Sequence, residues 1–86
     1  MIQSNRDSFY LALVAAYTKL FADDAASYAG AIQRGHTPET LASKMTVALA
    51  CGQGMKDGHG VTAACKALAI PHTHDAIRAF LTAGAK

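Results

Sequence analysis

The sequence predicts an all-α protein, a compact bundle of four or five short helices whose C-terminal helical hairpin resembles a helix-turn-helix. Three observations predict it. Apolar residues recur at three- and four-residue spacing along most of the chain, with no strand-like alternation and no internal repeat. The separators are few and sharp: Gly35-His36-Thr37-Pro38, the glycine-rich stretch 52–60, and Ile70-Pro71. Finally, 86 residues of which 51% are hydrophobic suit one small core in one domain, 1–86. Much of that apolar content is alanine, so a short set of larger side chains must carry the core.

The first helix is predicted over residues 5–21. Ser4 is placed to cap it, and Asp7 sits near the positive end of its dipole. Phe9, Leu13, Ala16 and Leu20 form one stripe, and Tyr10, Val14, Tyr17 and Phe21 form the adjacent one. Together they cover more than half the circumference, so this helix is expected to be central or to meet a second chain. Asp23-Asp24 opens a second pattern over 24–34, through Tyr28, Ala31 and Ile32 to Gly35. No glycine or proline interrupts the chain before Gly30, which leaves one bent helix over 5–34 open as an alternative.

Thr37-Pro38-Glu39 marks the next start: threonine as cap, proline where its missing N–H costs nothing, and an acid in the first turn. The helix predicted over 38–51 carries Leu41, Met45, Ala48 and Leu49 as its buried stripe, with Val47 and Cys51 at the margin. Gly52 and Gly54 end it. Residues 52–60 hold four of the seven glycines and are expected to form a loop. A helix over 61–70 turns Val61, Ala64, Cys65 and Leu68 inward and stops at Pro71, which disfavours helical geometry in the residue before it. Thr73 then caps a last helix over 74–82, with Ile77, Phe80 and Leu81 toward the core and Gly84 beyond it.

The formal net charge is +2, unevenly placed. Arg6, Lys19 and Arg34 face Asp7, Asp23, Asp24 and Glu39 in the first half. Lys44, Lys56, Lys66, Arg78 and Lys86 face only Asp57 and Asp75 in the second. That balance permits a polyanionic partner without the dense basic stripe of a dedicated nucleic-acid binder. The polar start lacks the apolar stretch of a secretory signal, and no run is long enough to cross a bilayer, so the expected setting is cytoplasmic, away from membranes. Cys51 and Cys65 are expected as reduced, buried thiols, a disulfide between them remaining the alternative.

Reactive constellations are sparse. His59, His72 and His74 with the two cysteines offer zinc-binding atom types, but at no spacing that makes a compact site, so neither metal nor cofactor is expected. The glycines at 52, 54, 58 and 60 lack the Gly-Lys-Ser/Thr of a nucleotide loop. No acid pair or nucleophile–histidine pair is placed for catalysis, so no catalytic residue is assigned and the chain is expected to work without chemistry of its own.

Ala64-Cys65-Lys66-Ala67-Leu68-Ala69-Ile70 resembles the first helix and turn of the helix-turn-helix family, with alanine at position 69 where that family has its turn glycine. The resemblance implies a reading helix over Thr73–Leu81. It would also imply nucleic-acid contacts from Lys56, Lys66, His72, Thr73, His74, Arg78 and Lys86, with DNA as partner.

The wider block from Lys56 to Thr73, running on to Ala76-Ile77 and Phe80-Leu81, resembles segments of small phage and prophage proteins, a group that includes anti-CRISPR inhibitors. That resemblance implies a non-enzymatic inhibitor or regulator that covers a surface of a host protein or protein–nucleic-acid complex. Tyrosines anchor many binding surfaces. Tyr10, Tyr17 and Tyr28, with Lys56 and Asp57 at the loop tip, are therefore the expected partner contacts. A homodimer is compatible with either partner.

Overall fold

Five helices account for all the regular structure among the described residues, 4–53 and 59–83 of a computed structural model: α1 (Asn5–Asp23), α2 (Ala29–Gln33), α3 (Pro38–Ala50), α4 (His59–Leu68) and α5 (His74–Ala83). The chain is an all-α bundle arranged around α1, which packs on α3, α4 and α5, while α5 also packs on α3. The breadth of apolar coverage on the first helix thus has a structural cause: three neighbours lean on it.

Only one stripe of α1 is fully inside. Phe9, Leu13 and Tyr17 stand four residues apart and are buried, whereas Tyr10, Val14, Ala16, Leu20 and Phe21 are half-buried around them. Leu49 of α3, Val61 of α4, and Ile77 and Leu81 of α5 are the large aliphatic side chains buried against it among the described residues. Full burial of each of these stabilises the fold by roughly 1.5–3 kcal/mol, which matters in so small a core.

The termini follow local chemistry. The Ser4 hydroxyl accepts the Asp7 N–H at 3.1 Å. Thr37 and Thr40 form a reciprocal capping box, each backbone N–H donating to the other's hydroxyl, with Pro38 in the first turn. The Thr73 hydroxyl accepts the Ala76 N–H and so caps α5. At the far end of α5, the Asn5 side-chain amide donates to the Phe80 carbonyl at 2.8 Å, satisfying one of the acceptors a helix leaves open at its C-terminus.

Three helices end in the same way. After α2, α3 and α4 one residue adopts left-handed backbone: Gly35 at φ 87°, Gly52 at φ 78° and Ala69 at φ 57°. In each, the next residue's N–H reaches five residues back, from His36 to Ala31, from Gln53 to Ala48, and from Ile70 to Cys65. This is the hydrogen-bond signature of the Schellman motif. Helix α4 therefore stops at Leu68, before Ile70, and Pro71 follows the stop rather than causing it.

Four further expectations need correction. The pattern over 24–34 is not one helix: residues 25–28 coil as turns with bonds reaching three residues back, and only Ala29–Gln33 is α-helical. Asp24 ends α1 (φ −136°, ψ 51°), which excludes both a helix start there and a continuous helix over 5–34. The stretch 52–60 is not loop to its end, because His59 and Gly60 are the first residues of α4; positions 54–58, with Gly54 among them, lie outside the described residues. Cys51 is exposed at the C-cap of α3 and only Cys65 is buried, both as free thiols.

The fourth correction positions the site. On α3 the buried positions are Ala42, Thr46, Leu49 and Ala50; of the expected Leu41, Met45, Ala48 and Leu49 only Leu49 is buried, and the rest of the stripe lies one residue on. The small side chains of Ala42 and Thr46 let the backbone of α3 approach its neighbours closely, and the Thr46 hydroxyl is satisfied by the Ala42 carbonyl at 2.8 Å. Leu41 and Met45 are rotated out to a half-buried position.

Candidate functional site

The rotated face of α3 forms one wall of an open groove of about 470 Å³. Its lining is assembled from four helices and a turn: Tyr17 from α1, Asp24, Ser27 and Tyr28 from the turn, Ala31 from α2, Leu41 and Met45 from α3, and His59 from α4. A volume in this range suits one or two side chains of a partner or a small ligand.

The wall made by the tyrosines is held from behind. Tyr17 and Tyr28 cross at 72° with ring centroids 6.2 Å apart, and Phe21 packs at a tilt of 34° on Tyr28, 5.1 Å away. Phe21 also meets Tyr17 at 6.5 Å, so the three rings form a closed triangle. On its other side Tyr17 lies against Gly60, the second residue of α4. Its phenol is pushed up to about 12 by burial and, to a lesser degree, by Tyr28. Burial and then the charge of Asp24 raise Tyr28 as well. Both phenols are therefore neutral across the physiological range, and among the described residues Asp24 is the one carboxylate lining the groove.

The expected partner contacts divide. Tyr17 and Tyr28 come together in the groove, while Tyr10 is half-buried on α1 outside its lining. Lys56 and Asp57 lie outside the described residues, as does Lys86. Of the residues expected to meet DNA, Lys66 is exposed in the last turn of α4. Arg78 is exposed on α5 but lies across the end of α3, its Cδ 3.6 Å from where a side chain on Gly52 would begin. That places its charge near the negative end of the α3 dipole.

Thr73 is engaged as a cap. His74 is half-buried at the start of α5, and His72 is half-buried with its Nε2 shielded and without a hydrogen-bond partner. Helix α5 is carried by α3 and α1, and has little direct contact with α4. In a helix-turn-helix the first helix of the pair supports the second.

Asp24, Ser27, Leu41, Met45 and His59 were not singled out as a site from the sequence. Their common signal is faint: a turn between two helical patterns, and a leucine–methionine pair one turn apart on α3. No group of three or more histidine, cysteine or acidic side chains among the described residues is placed to hold a metal ion. No helix among them is long and apolar enough to cross a membrane. Comparisons with protein-family models, with curated proteins and with solved structures give no match to this chain.

Proposed function

We propose that this chain is a protein-binding module that acts by contact, without catalysis, and that the groove between Tyr17, Tyr28, Leu41 and Met45 holds its partner. One observation carries the reading: α3 presents its small residues to the core and leaves a leucine and a methionine beside two braced tyrosines in an open concavity. Large apolar and aromatic groups with a preset geometry bind at low entropic cost, and such groups dominate protein interfaces. The resemblance to small phage proteins extends the proposal to the partner, a component of a larger host complex that this chain inhibits or regulates by covering part of its surface.

The DNA reading is less well served. The hydroxyl of Thr73 is occupied, Arg78 rests on the end of α3, and the exposed Asp75 in the first turn of α5 opposes phosphate. The two readings separate in one experiment. The chain and its Tyr28→Ala, Met45→Lys and Arg78→Glu variants are used to capture partners from nuclease-treated host lysate, after circular dichroism confirms that each is folded. Capture of one protein by the parent and Arg78→Glu, and its loss with Tyr28→Ala and Met45→Lys, is the expected result. Binding of duplex DNA that weakens steeply with salt and disappears with Arg78→Glu overturns the proposal.

A further inference from the structure

We infer that the groove selects a positively charged side chain, an arginine or lysine presented by the partner polypeptide. This rests on the groove being a protein-binding site and names the chemistry it recognises. Asp24 lines the groove, and among the described residues no cation pairs with it. A carboxylate on a largely apolar wall attracts a cation more strongly than one in open solvent, because less water screens it.

The tyrosines act in the same direction. A ring face carries the negative end of the aromatic quadrupole and attracts an ammonium or guanidinium placed over it. Tyr17 and Tyr28 both line the groove and meet nearly at right angles, and Phe21 packs against Tyr28 at 5.1 Å, which braces that ring. Because burial, helped by Tyr28 at Tyr17 and by the charge of Asp24 at Tyr28, keeps both phenols protonated, the rings add no second negative charge, and Asp24 is the anion that the described residues bring to the lining.

The rest of the groove fits the stem of such a side chain. Ala31, Leu41 and Met45 supply apolar contact for a run of methylenes, which lysine and arginine bury while their charged heads stay at a polar edge. A purely apolar anchor would leave Asp24 desolvated without a partner, and an acidic one would be repelled by it. His59 belongs to the same lining, at the start of α4.

The test is an NMR titration of the intact chain that follows the Met45 methyl and the Tyr17 and Tyr28 ring signals. The probes are Nα-acetyl methylamides of arginine and lysine, with those of citrulline, norleucine and glutamate as neutral and acidic controls. Arginine and lysine are expected to bind about tenfold more tightly than citrulline or norleucine, with most of that margin lost in Asp24→Asn and in Tyr28→Leu.

Equal binding of norleucine and arginine, or unchanged arginine binding in Asp24→Asn, overturns the selection of a cation while the protein-binding reading stands. Absence of shifts from every probe also overturns it, and the capture by Tyr28→Ala and Met45→Lys then decides the broader reading. Signals that move with protein concentration alone make the occupant a second copy of this chain and overturn the inference too.

Discussion

The ring of Tyr17 fills the space in which a side chain on Gly60 would have to grow. A Cβ there would stand 2.6 Å from the ring Cζ and 3.0 Å from Cδ1, closer than carbon atoms pack. The two residues are far apart in sequence but together decide how near α4 comes to α1, and hence where His59 enters the groove.

Gly60→Ala is accordingly expected to destabilise the fold even though alanine is the better helix former. Overpacking of a filled core costs about 1–3 kcal/mol, against a propensity gain of about 1 kcal/mol in a helix interior and less near a terminus. Urea denaturation of Gly60→Ala, Tyr17→Leu and the double variant measures the coupling. A double variant less destabilised than the sum of the singles bears the contact out, and strict additivity counts against it.

The same burial has a consequence at alkaline pH. The Tyr17 phenol loses its proton near pH 12 in the folded chain, against 10.0 as its ordinary value. Below pH 10 the group is neutral in both states and its contribution is intact. As pH rises from 10 toward 12 the unfolded chain ionises first, which draws the equilibrium toward unfolding. The denaturation midpoint is expected to fall through that window, with Tyr28 adding in the same direction. Tyr17→Phe should flatten the decline, and a slope unchanged by that substitution would remove Tyr17 as its source.

What was legible in the sequence was local. Ser4, Thr37-Pro38 and Thr73 announce helix starts because a capping hydroxyl bonds to a backbone three residues away, and all three cap their helices here. The rotation of α3 was not legible. Leu41-Ala42 and Met45-Thr46 satisfy a helical apolar stripe in either of two settings about 100° apart, and the closeness of neighbouring backbones, a tertiary property, selects the small pair for the core. The groove was hidden for the same reason, since it consists of what that choice leaves outside. The turn over 25–28 was missed because no proline or glycine marks it.

Cysteine chemistry offers a third prediction. Cys51 is exposed at the end of α3, while Cys65 is 2% exposed in α4 and burial raises its thiol, holding it in the unreactive protonated form. A thiol-reactive disulfide dye should modify Cys51 in the native chain and reach Cys65 only on unfolding. Cys51→Ser is expected to change stability by less than about 0.5 kcal/mol, and Cys65→Ser to lower it by about 1–3 kcal/mol, because a buried hydroxyl lacks a ready partner. Simultaneous labelling of both thiols under native conditions would show that α4 is not seated on α1 in solution.

The amide of Asn5 gives a fourth. Its 2.8 Å bond to the Phe80 carbonyl links the first turn of α1 to the last turn of α5 and holds the two ends of the fold together. Asn5→Ala should cost about 1 kcal/mol and should speed amide exchange in the last turn of α5 more than in α3. Exchange that rises evenly across the molecule would assign Asn5 a role in global stability only.

The turn after α4 allows a test of opposite signs. Gly35 and Ala69 occupy the same place in the same motif, one at φ 87° and the other at φ 57°. A side chain in the left-handed region meets the following carbonyl and costs roughly 1–2 kcal/mol, a cost Ala69 bears and Gly35 does not. Ala69→Gly should therefore stabilise the chain, by about 0.5–1 kcal/mol once the added freedom of glycine in the unfolded state is deducted. Gly35→Ala should destabilise it by a similar amount through backbone strain alone, because no atom lies within 4 Å of the Cβ it would gain. Thermal or urea unfolding reads both. If the two substitutions shift stability in the same direction, the helix ends are not held in the left-handed conformation that joins α4 to α5 and α2 to α3.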